Sequence, residues 1–169
     1  MLEAAKDKAI SIGINTTIVV TSLNDIEVRP VAATFAGIAK EAEALGRPLE
    51  PPCAFILGGE LVVTVGGASG SGGRNQEFVV STAEHIAGSE NIVVASADCD
   101  GTDGPTDTAG GIVDGYTMER SVAAGIDLRR ELADHNTNFL LKELGDTIDI
   151  RRGANVRDLR VIYVGGRAG

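Results

Sequence analysis

Two cysteines, Cys53 and Cys99, and two histidines, His85 and His135, are all that this 169-residue chain holds of those residue types. So few thiols make no disulfide framework. Two histidines so far apart give a histidine-based zinc site little support. The cytoplasm is the default compartment for such a composition. No apolar run approaches the roughly 20 residues that span a bilayer, so a soluble protein without membrane association is expected. Residues 1–13 carry Glu3, Lys6, Asp7 and Lys8 and lack a signal peptide's apolar stretch. Positive charge is also scarce: 15 Lys and Arg stand against 24 Asp and Glu, a net charge of −9. That balance argues against a broad nucleic-acid or anionic-membrane surface. A small anionic ligand remains open where local donors overcome the global field.

What is present is an ordinary globular composition, 43% hydrophobic and 23% charged, with 22 glycines as its oddity. The length suits a single domain over residues 1–169, with no repeat and no linker. Helical spacing predicts helices over residues 1–12, 31–45, 74–87, 118–124, 127–132 and 138–144. Pro30 stands at the first helical position of the second, and Gly46 ends it. Runs rich in β-branched residues predict strands over 14–21, 53–57, 61–65, 92–97, 147–150 and 159–164. Gly58 and Gly59 between two of these read as a hairpin turn. The whole predicts an α/β layered domain with a mixed, largely parallel sheet flanked by helices.

Three stretches can carry chemistry. Residues 66–77 run from a strand through a glycine-rich loop into a helix. Such a loop lets backbone N–H groups and the helix dipole meet an anion, and Arg74 adds a forked donor. Gly70, Gly72, Gly73 and Asn75 are its candidate phosphate-binding residues. It is not a P-loop, because no Gly-Lys-Ser/Thr ending follows, and it is not a dinucleotide fingerprint. The competing interpretation is a flexible connection with a solvated arginine. Residues 98–108 place Asp98, Asp100, Asp103 and Asp107 just past the carboxyl end of a buried strand, where open α/β sheets keep ligands. Oxygen ligands there suit Mg²⁺, with Asp100 and Asp103 as candidates. An EF-hand is a poor match, since Asp103 stands where its glycine and Ala109 where its glutamate belong. These carboxylates could equally form turns and cap helices. Residues 151–160 are the densest basic stretch, either donors on the same face, Arg157 among them, or a solvated edge loop. Glu60 could orient Arg74 or cap its turn. His85 reads as exposed, His135 as a surface or capping residue, and Cys99 as a small turn residue.

In chain order, Gly58-Gly59-Glu60, Gly72-Gly73-Arg74-Asn75-Gln76-Glu77, Asp100-Gly101-Thr102-Asp103-Gly104-Pro105-Thr106-Asp107, Gly110, Ile112-Val113-Asp114-Gly115, Leu144-Gly145-Asp146, Asn155-Val156 and Asp158-Leu159 resemble one family. It is the carboxy-terminal (MOFRL) domain of the type-2 glycerate kinases, also described as hydroxypyruvate reductases. The resemblance covers nearly the whole chain. It implies ATP-dependent phosphorylation of glycerate to 2-phosphoglycerate. It also implies a larger amino-terminal Rossmann-like domain that bears the catalytic lysine, with the active site between the domains. Carried over by motif, Arg74 would contact substrate or the transferring phosphate, Asp100 would be the acid of the cleft, and Glu60 would support Arg74. Asn155 matches an asparagine of the family's late stretch. Either the proton-accepting or the Mg²⁺-holding role is open to the carboxylates.

Departures are Ser71, where a basic residue is common, Asp98-Cys99 for Gly-Thr, and Ala154 and Arg157 for Thr and Asn. Arg152 or Arg157 is the candidate to restore the lost charge. The leading expectation is thus an incomplete half of a glycerate 2-kinase using ATP and Mg²⁺. It would act on glycerate or a similar small hydroxy acid, with the amino-terminal domain in cis or trans. The alternative is a stand-alone anion-binding module of the same fold without turnover. Self-association through the face left by the missing domain is possible in either case. No nicotinamide fingerprint supports the reductase name.

Overall fold

The computed structural model describes residues 1–150 and 157–166. Helix α1 (Leu2–Ser11) precedes β1 (Asn15–Val20), and α2 (Val28–Leu45) leads to β2 (Cys53–Leu57). A long connection reaches α3 (Arg74–Ile86), followed by β3 (Ile92–Asp98) and β4 (Gly110–Asp114). Three short helices follow, α4 (Thr117–Ala123), α5 (Leu128–Ala133) and α6 (Thr137–Leu144), then β5 (Thr147–Ile148) and β6 (Asp158–Val164). No helix among the described residues is long and apolar enough to cross a membrane.

The predicted helices form within a few residues of their expected limits. Helix α2 starts two residues before Pro30, which is harmless because a first-turn proline has no intrahelical N–H to lose. Gly46 ends it in the left-handed conformation (φ 69°), its N–H closing on Ala42 O at 2.9 Å. Its buried face is mostly small, with Val28, Ala32, Ala36, Ala39 and Ala42 all fully buried. Small side chains let α2 lie close against α3, its principal helical neighbour.

The six strands of the described residues form one mixed sheet in the order β1-β2-β6-β3-β4-β5. Strands β1, β2, β3 and β5 run one way and β4 and β6 the other, so four of six share a direction. Yet β6 enters between β2 and β3, and only the β1–β2 ladder is parallel. Parallel neighbours are therefore fewer than the sequence suggests. The last strand of the chain becomes a central one, a long-range pairing that no local pattern announces.

The expected hairpin over residues 53–65 does not form. Both edges of β2 are taken, one by β1 and the other by β6, so no ladder is left for residues 61–65. That stretch makes only an isolated parallel bridge, Val62 to Glu27. Leu61 nevertheless sits in the core while Val62 and Val65 face outward. In its place β4, which the glycines of its Gly110-Gly111 start disguise, completes the sheet beside β3.

Helices α2 and α3 cover one face of the sheet, where Phe55, Leu57, Phe78, Val94 and Ile162 form the core. Ala54 and Ile56 alternate with that set and are buried on the other face, where α1 packs on β1 and β2. Strands β3 and β6 alternate strictly between buried and half-buried residues. Their facing buried pairs are Ile92–Val164, Val94–Ile162, Ser96–Arg160 and Asp98–Asp158. One face of one sheet thus passes from hydrocarbon to charge within seven residues, and the charged end is where the site lies.

Leu61→Ala is expected to cost about 2–5 kcal/mol in urea unfolding, as for other buried leucines. Val62→Ala, at a side chain that is 37% exposed, is expected to stay within about 0.5 kcal/mol. Equal costs would mean that residues 61–65 pack as a strand after all.

Candidate functional site

Asp98 and Asp158 face each other across the β3–β6 ladder and both are buried. Two like charges in that position repel and have lost their water. Arg74, the first residue of α3, resolves the conflict. Its Nε donates to Asp158 Oδ2 at 2.8 Å, and its Nη2 donates to Asp158 Oδ1 at 3.0 Å and to Asp98 Oδ2 at 2.6 Å. Nη1 lies 3.3 Å from Glu60 Oε1. The sequence pairing of Glu60 with Arg74 is therefore present in space, and two further carboxylates share the guanidinium.

A second arginine lies beneath. Arg160 is fully buried, with Nη2 donating to Asp158 Oδ2 at 2.6 Å and Nη1 to Gly59 O at 3.3 Å. Its guanidinium stands 5.5 Å from the centre of the Phe78 ring, and its Nε has no hydrogen-bond partner among the described residues. Burial alone pushes the Asp158 carboxyl up, but the hydrogen bond from Arg74 and the charge of Arg160 outweigh it and hold Asp158 below the usual carboxylate range. Asp98 is raised, chiefly by burial and also by the charge of Asp158. Arg74 is raised, first by its hydrogen bond to Asp158. Burial lowers Arg160 despite the neighbouring carboxylate.

The glycine loop and the start of α3 serve the protein itself. Asp103 caps the helix from another loop: its carboxylate accepts the backbone N–H of Asn75 (3.1 Å) and of Gln76 (2.8 Å) and the side-chain amides of both. Burial raises its carboxyl, and those donors pull against the shift. The sequence pairs Asp103 with Asp100 as a magnesium ligand; in the structure both of its oxygens are spent on α3, the capping alternative. Asn75 is buried and bridges Asp103 and Asp158, while Ser96 Oγ donates to its Oδ1 at 2.5 Å. It is thus turned inward and does not face a phosphate.

The same holds for the glycines. Gly70 N donates to Asp134 O at 3.1 Å. A Cβ on Gly70 would stand 2.1 Å from that oxygen, one on Gly72 would stand 2.2 Å from Thr137 Oγ1, and one on Gly73 would stand 2.3 Å from the carboxyl carbon of Asp103. Close approach of protein to protein, instead of protein to ligand, is what these three positions accommodate. Glu77 continues inward, accepting from Arg29 Nε at 2.8 Å and lying 2.7 Å from His135 Nδ1. Every residue from Arg74 to Glu77 is thereby tied to a different part of the chain.

Asp100 sits in the turn after β3. Its N–H donates to Asp98 Oδ1 at 3.2 Å, and its Oδ1 accepts from Thr102 N and Oγ1. It is not among the residues lining the cleft beside Arg74. No group of three or more metal-ligating side chains occurs among the described residues. A divalent cation would therefore find Asp100 as a single carboxylate, which suits Mg²⁺ carried in by phosphates and water better than an all-protein cage. Asn155 and Arg152 lie outside the described residues. His85 is exposed, and burial raises the Cys99 thiol.

The cleft itself has a volume of about 570 Å³. Arg74, Glu60 and Arg157 line its polar side, and Leu61, Val62 and Val63 its apolar wall. Gly104 also lines it, as do Asn24 and Asp25 from the connection between β1 and α2, two residues that were not singled out by sequence. Asp98, Asp158 and Arg160 were also missed as site residues. For these a signal existed: each shares strand parity with Ile92 or Ile162, which places it on the core face.

Residues 53–158 match the sequence model described as the MOFRL family. The chain is 45% identical over 158 residues to a D-glycerate 2-kinase of Thermotoga maritima, a match spanning 93% of this chain and 37% of that protein. It is 38% identical over 168 residues to a glycerate 2-kinase of Pyrococcus horikoshii, spanning 99% of this chain and 38% of the other. A crystal structure of glycerate kinase from Thermotoga maritima superposes with a TM-score of 0.93 at 41% identity, over 96% of this chain and 39% of that one. The chain spans less than two-fifths of the length of these relatives.

Asp158→Asn is expected to cost about 3–5 kcal/mol at neutral pH, since Arg160 is left buried without its charge partner. The folded Asp158 lies below its unfolded value of about 3.9, so its contribution is complete above that pH and vanishes as the pH falls through the folded value. Urea unfolding at a series of pH values should show the gap between variant and native chain closing below about pH 3.9. Asp103→Asn turns an NH₂ toward the α3 donors and is expected to lower stability by about 1–3 kcal/mol, readable as a lower thermal midpoint.

Proposed function

Because the chain belongs to the MOFRL family, we propose that it forms the carboxy-terminal part of a glycerate 2-kinase. That enzyme transfers the γ-phosphoryl group of ATP to the 2-hydroxyl of glycerate and yields 2-phosphoglycerate and ADP. The names of the relatives support this reading. The observation that carries it is Arg74, held rigid by Asp158, Asp98 and Glu60 at the wall of an open cleft.

Phosphoryl transfer asks little covalent chemistry of a protein and much positioning. Arg74 meets that need because its orientation is set before any ligand arrives, so no reorganisation is required as charge develops. Its own charge is already matched by carboxylates, so it contributes direction more than net attraction. Glu60 keeps Nη1 turned to the cleft. By the family's motif Asp100, in the turn after β3 and outside the cleft lining, would hold Mg²⁺ or accept the hydroxyl proton, and Mg²⁺ when bound would neutralise charge on the phosphate oxygens. The remaining machinery, including the family's lysine, belongs to the amino-terminal domain. The alternative of a stand-alone anion module on the glycine loop has less support, since Asp103 occupies the N–H groups such a module would use.

The test is ADP release from Mg-ATP and D-glycerate by the purified chain, alone and joined to the family's amino-terminal domain. Turnover is expected only in the joined protein, and Arg74→Ala there should lower kcat by about 10²–10³-fold. Turnover by the chain alone would overturn its being half an enzyme. A folded joined protein that shows none would overturn the kinase reading.

A further inference from the structure

We propose that Asp25 sets the specificity of the cleft: its carboxylate accepts a hydroxyl of the bound acid and repels acids that have none, while Arg74 meets the acid's own carboxylate. The inference rests on the kinase reading only for the identity of that hydroxy acid, glycerate.

Three observations carry it. The first is the state of two charged side chains that line the cleft. Arg74 gives its Nε and Nη2 hydrogens to Asp158 and Asp98. Its Nη1 lies 3.3 Å from Glu60 Oε1, an ion pair whose carboxylate is more than half exposed. That nitrogen is the edge of the guanidinium that a ligand carboxylate can reach. Asp25 lines the same cleft, and its carboxylate has neither a hydrogen bond nor an ion pair among the described residues. The cleft therefore offers one directed donor and one unused acceptor.

The second is how firmly the two are held in one frame. Asp25 N donates to Glu60 O at 3.2 Å, between the flanking bonds of Leu23 N to Gly58 O at 3.3 Å and Val62 N to Ile26 O at 3.0 Å. Asn24 Oδ1 accepts Glu60 N at 3.0 Å and closes the same joint. The backbone of Asp25 is thus fixed to the segment whose Glu60 side chain reaches Arg74, although Asp25 itself is exposed.

The third is the conformation of Asp25. Its φ is 58°, and among the described residues only His135 and Arg157 are other non-glycine residues at positive φ. Glycine takes this conformation without steric cost, whereas aspartate does so at some expense. Such positions persist where the surroundings over-determine them and cluster at ligand sites. An aspartate where glycine is the easier residue favours a use for its carboxylate.

The chemistry gives that use. A hydroxyl donates to a carboxylate in a charge-assisted hydrogen bond, stronger than one between neutral groups. A hydroxy acid recovers through that bond what its own charge loses beside Asp25. An acid without hydroxyls meets only the repulsion. Selectivity thus comes from attraction for one ligand and repulsion of the other together. Leu61 to Val63 form the apolar wall along which a short carbon chain can lie.

The experiment is titration of the isotope-labelled chain with D-glycerate and, separately, with propionate, the three-carbon acid lacking both hydroxyls, followed by backbone amide shifts. In the native chain glycerate should shift residues 25, 60 and 74 and bind at least roughly tenfold more tightly than propionate, the effect of one charge-assisted hydrogen bond. Asp25→Gly, which suits the same backbone conformation, should keep the thermal midpoint and bring the two acids within about twofold of each other. Glycerate should weaken while propionate does not. Asp25→Asn, which keeps the shape and removes the charge, should bind propionate more tightly than the native chain does. A merely structural Asp25 would behave otherwise, since its loss would weaken both acids alike and leave their ratio unchanged. That pattern overturns the proposal, as does a native chain that binds no glycerate at millimolar concentration. Neither result touches the kinase reading, which the turnover of the joined protein decides separately.

Discussion

The structure turns on one buried carboxylate. Asp158 enters the sheet at the head of its last strand, directly opposite Asp98, with no water to screen either. Leaving such a pair uncompensated would cost more than most single contacts in the core return. Arg74 and Arg160 approach it from two directions, one from the start of α3 and one from its own strand. Their positions set the docking of α3 on the sheet, since Arg74 reaches both strands only when the helix begins over their carboxyl-terminal and amino-terminal ends. Apolar replacements of buried ion pairs are often as stable, so the retained charges are better understood as specifying an arrangement than as supplying net stability.

From that point a polar network spreads without a break. Asn75 joins Asp158 to Asp103, Gln76 joins Asp103 to Thr106 and Asn138, and Glu77 joins Arg29 to His135. Four consecutive residues at one helix start thus hold five separate segments in place. The glycines before them let the chain pass within contact distance of Asp103 and the 134–137 turn. A glycine-rich loop entering a helix commonly signals an anion site; here the helix finds its anion within the same chain. The backbone donors of the helix start are thus spent within the protein.

The rim of the cleft is drawn from four connections distant in sequence, around residues 24–25, 60–63, 104 and 157, together with Arg74 at the start of α3. The relatives are more than twice as long as this chain.

Much was legible before any coordinates. The helices followed from spacing and stop signals, because an amphipathic period is a local property. The association of Glu60 with Arg74 and the mixed α/β class were also readable, and the order of motifs indicated the family. Strand parity even encoded which of the late charges turn inward. What only the tertiary structure decided was the pairing of strands and the occupants of donors. Residues 61–65 have the composition of a strand and are not one, because β6 had already claimed the edge of β2. Asp103 has the look of a metal ligand and is a helix cap, because α3 starts within its reach. Asn24 carries no motif at all, yet its amide oxygen accepts from both Glu60 N and Arg157 Nη1. Local pattern fixes which way a segment's side chains can point; competition among distant segments for the same edge, donor or charge determines what they meet.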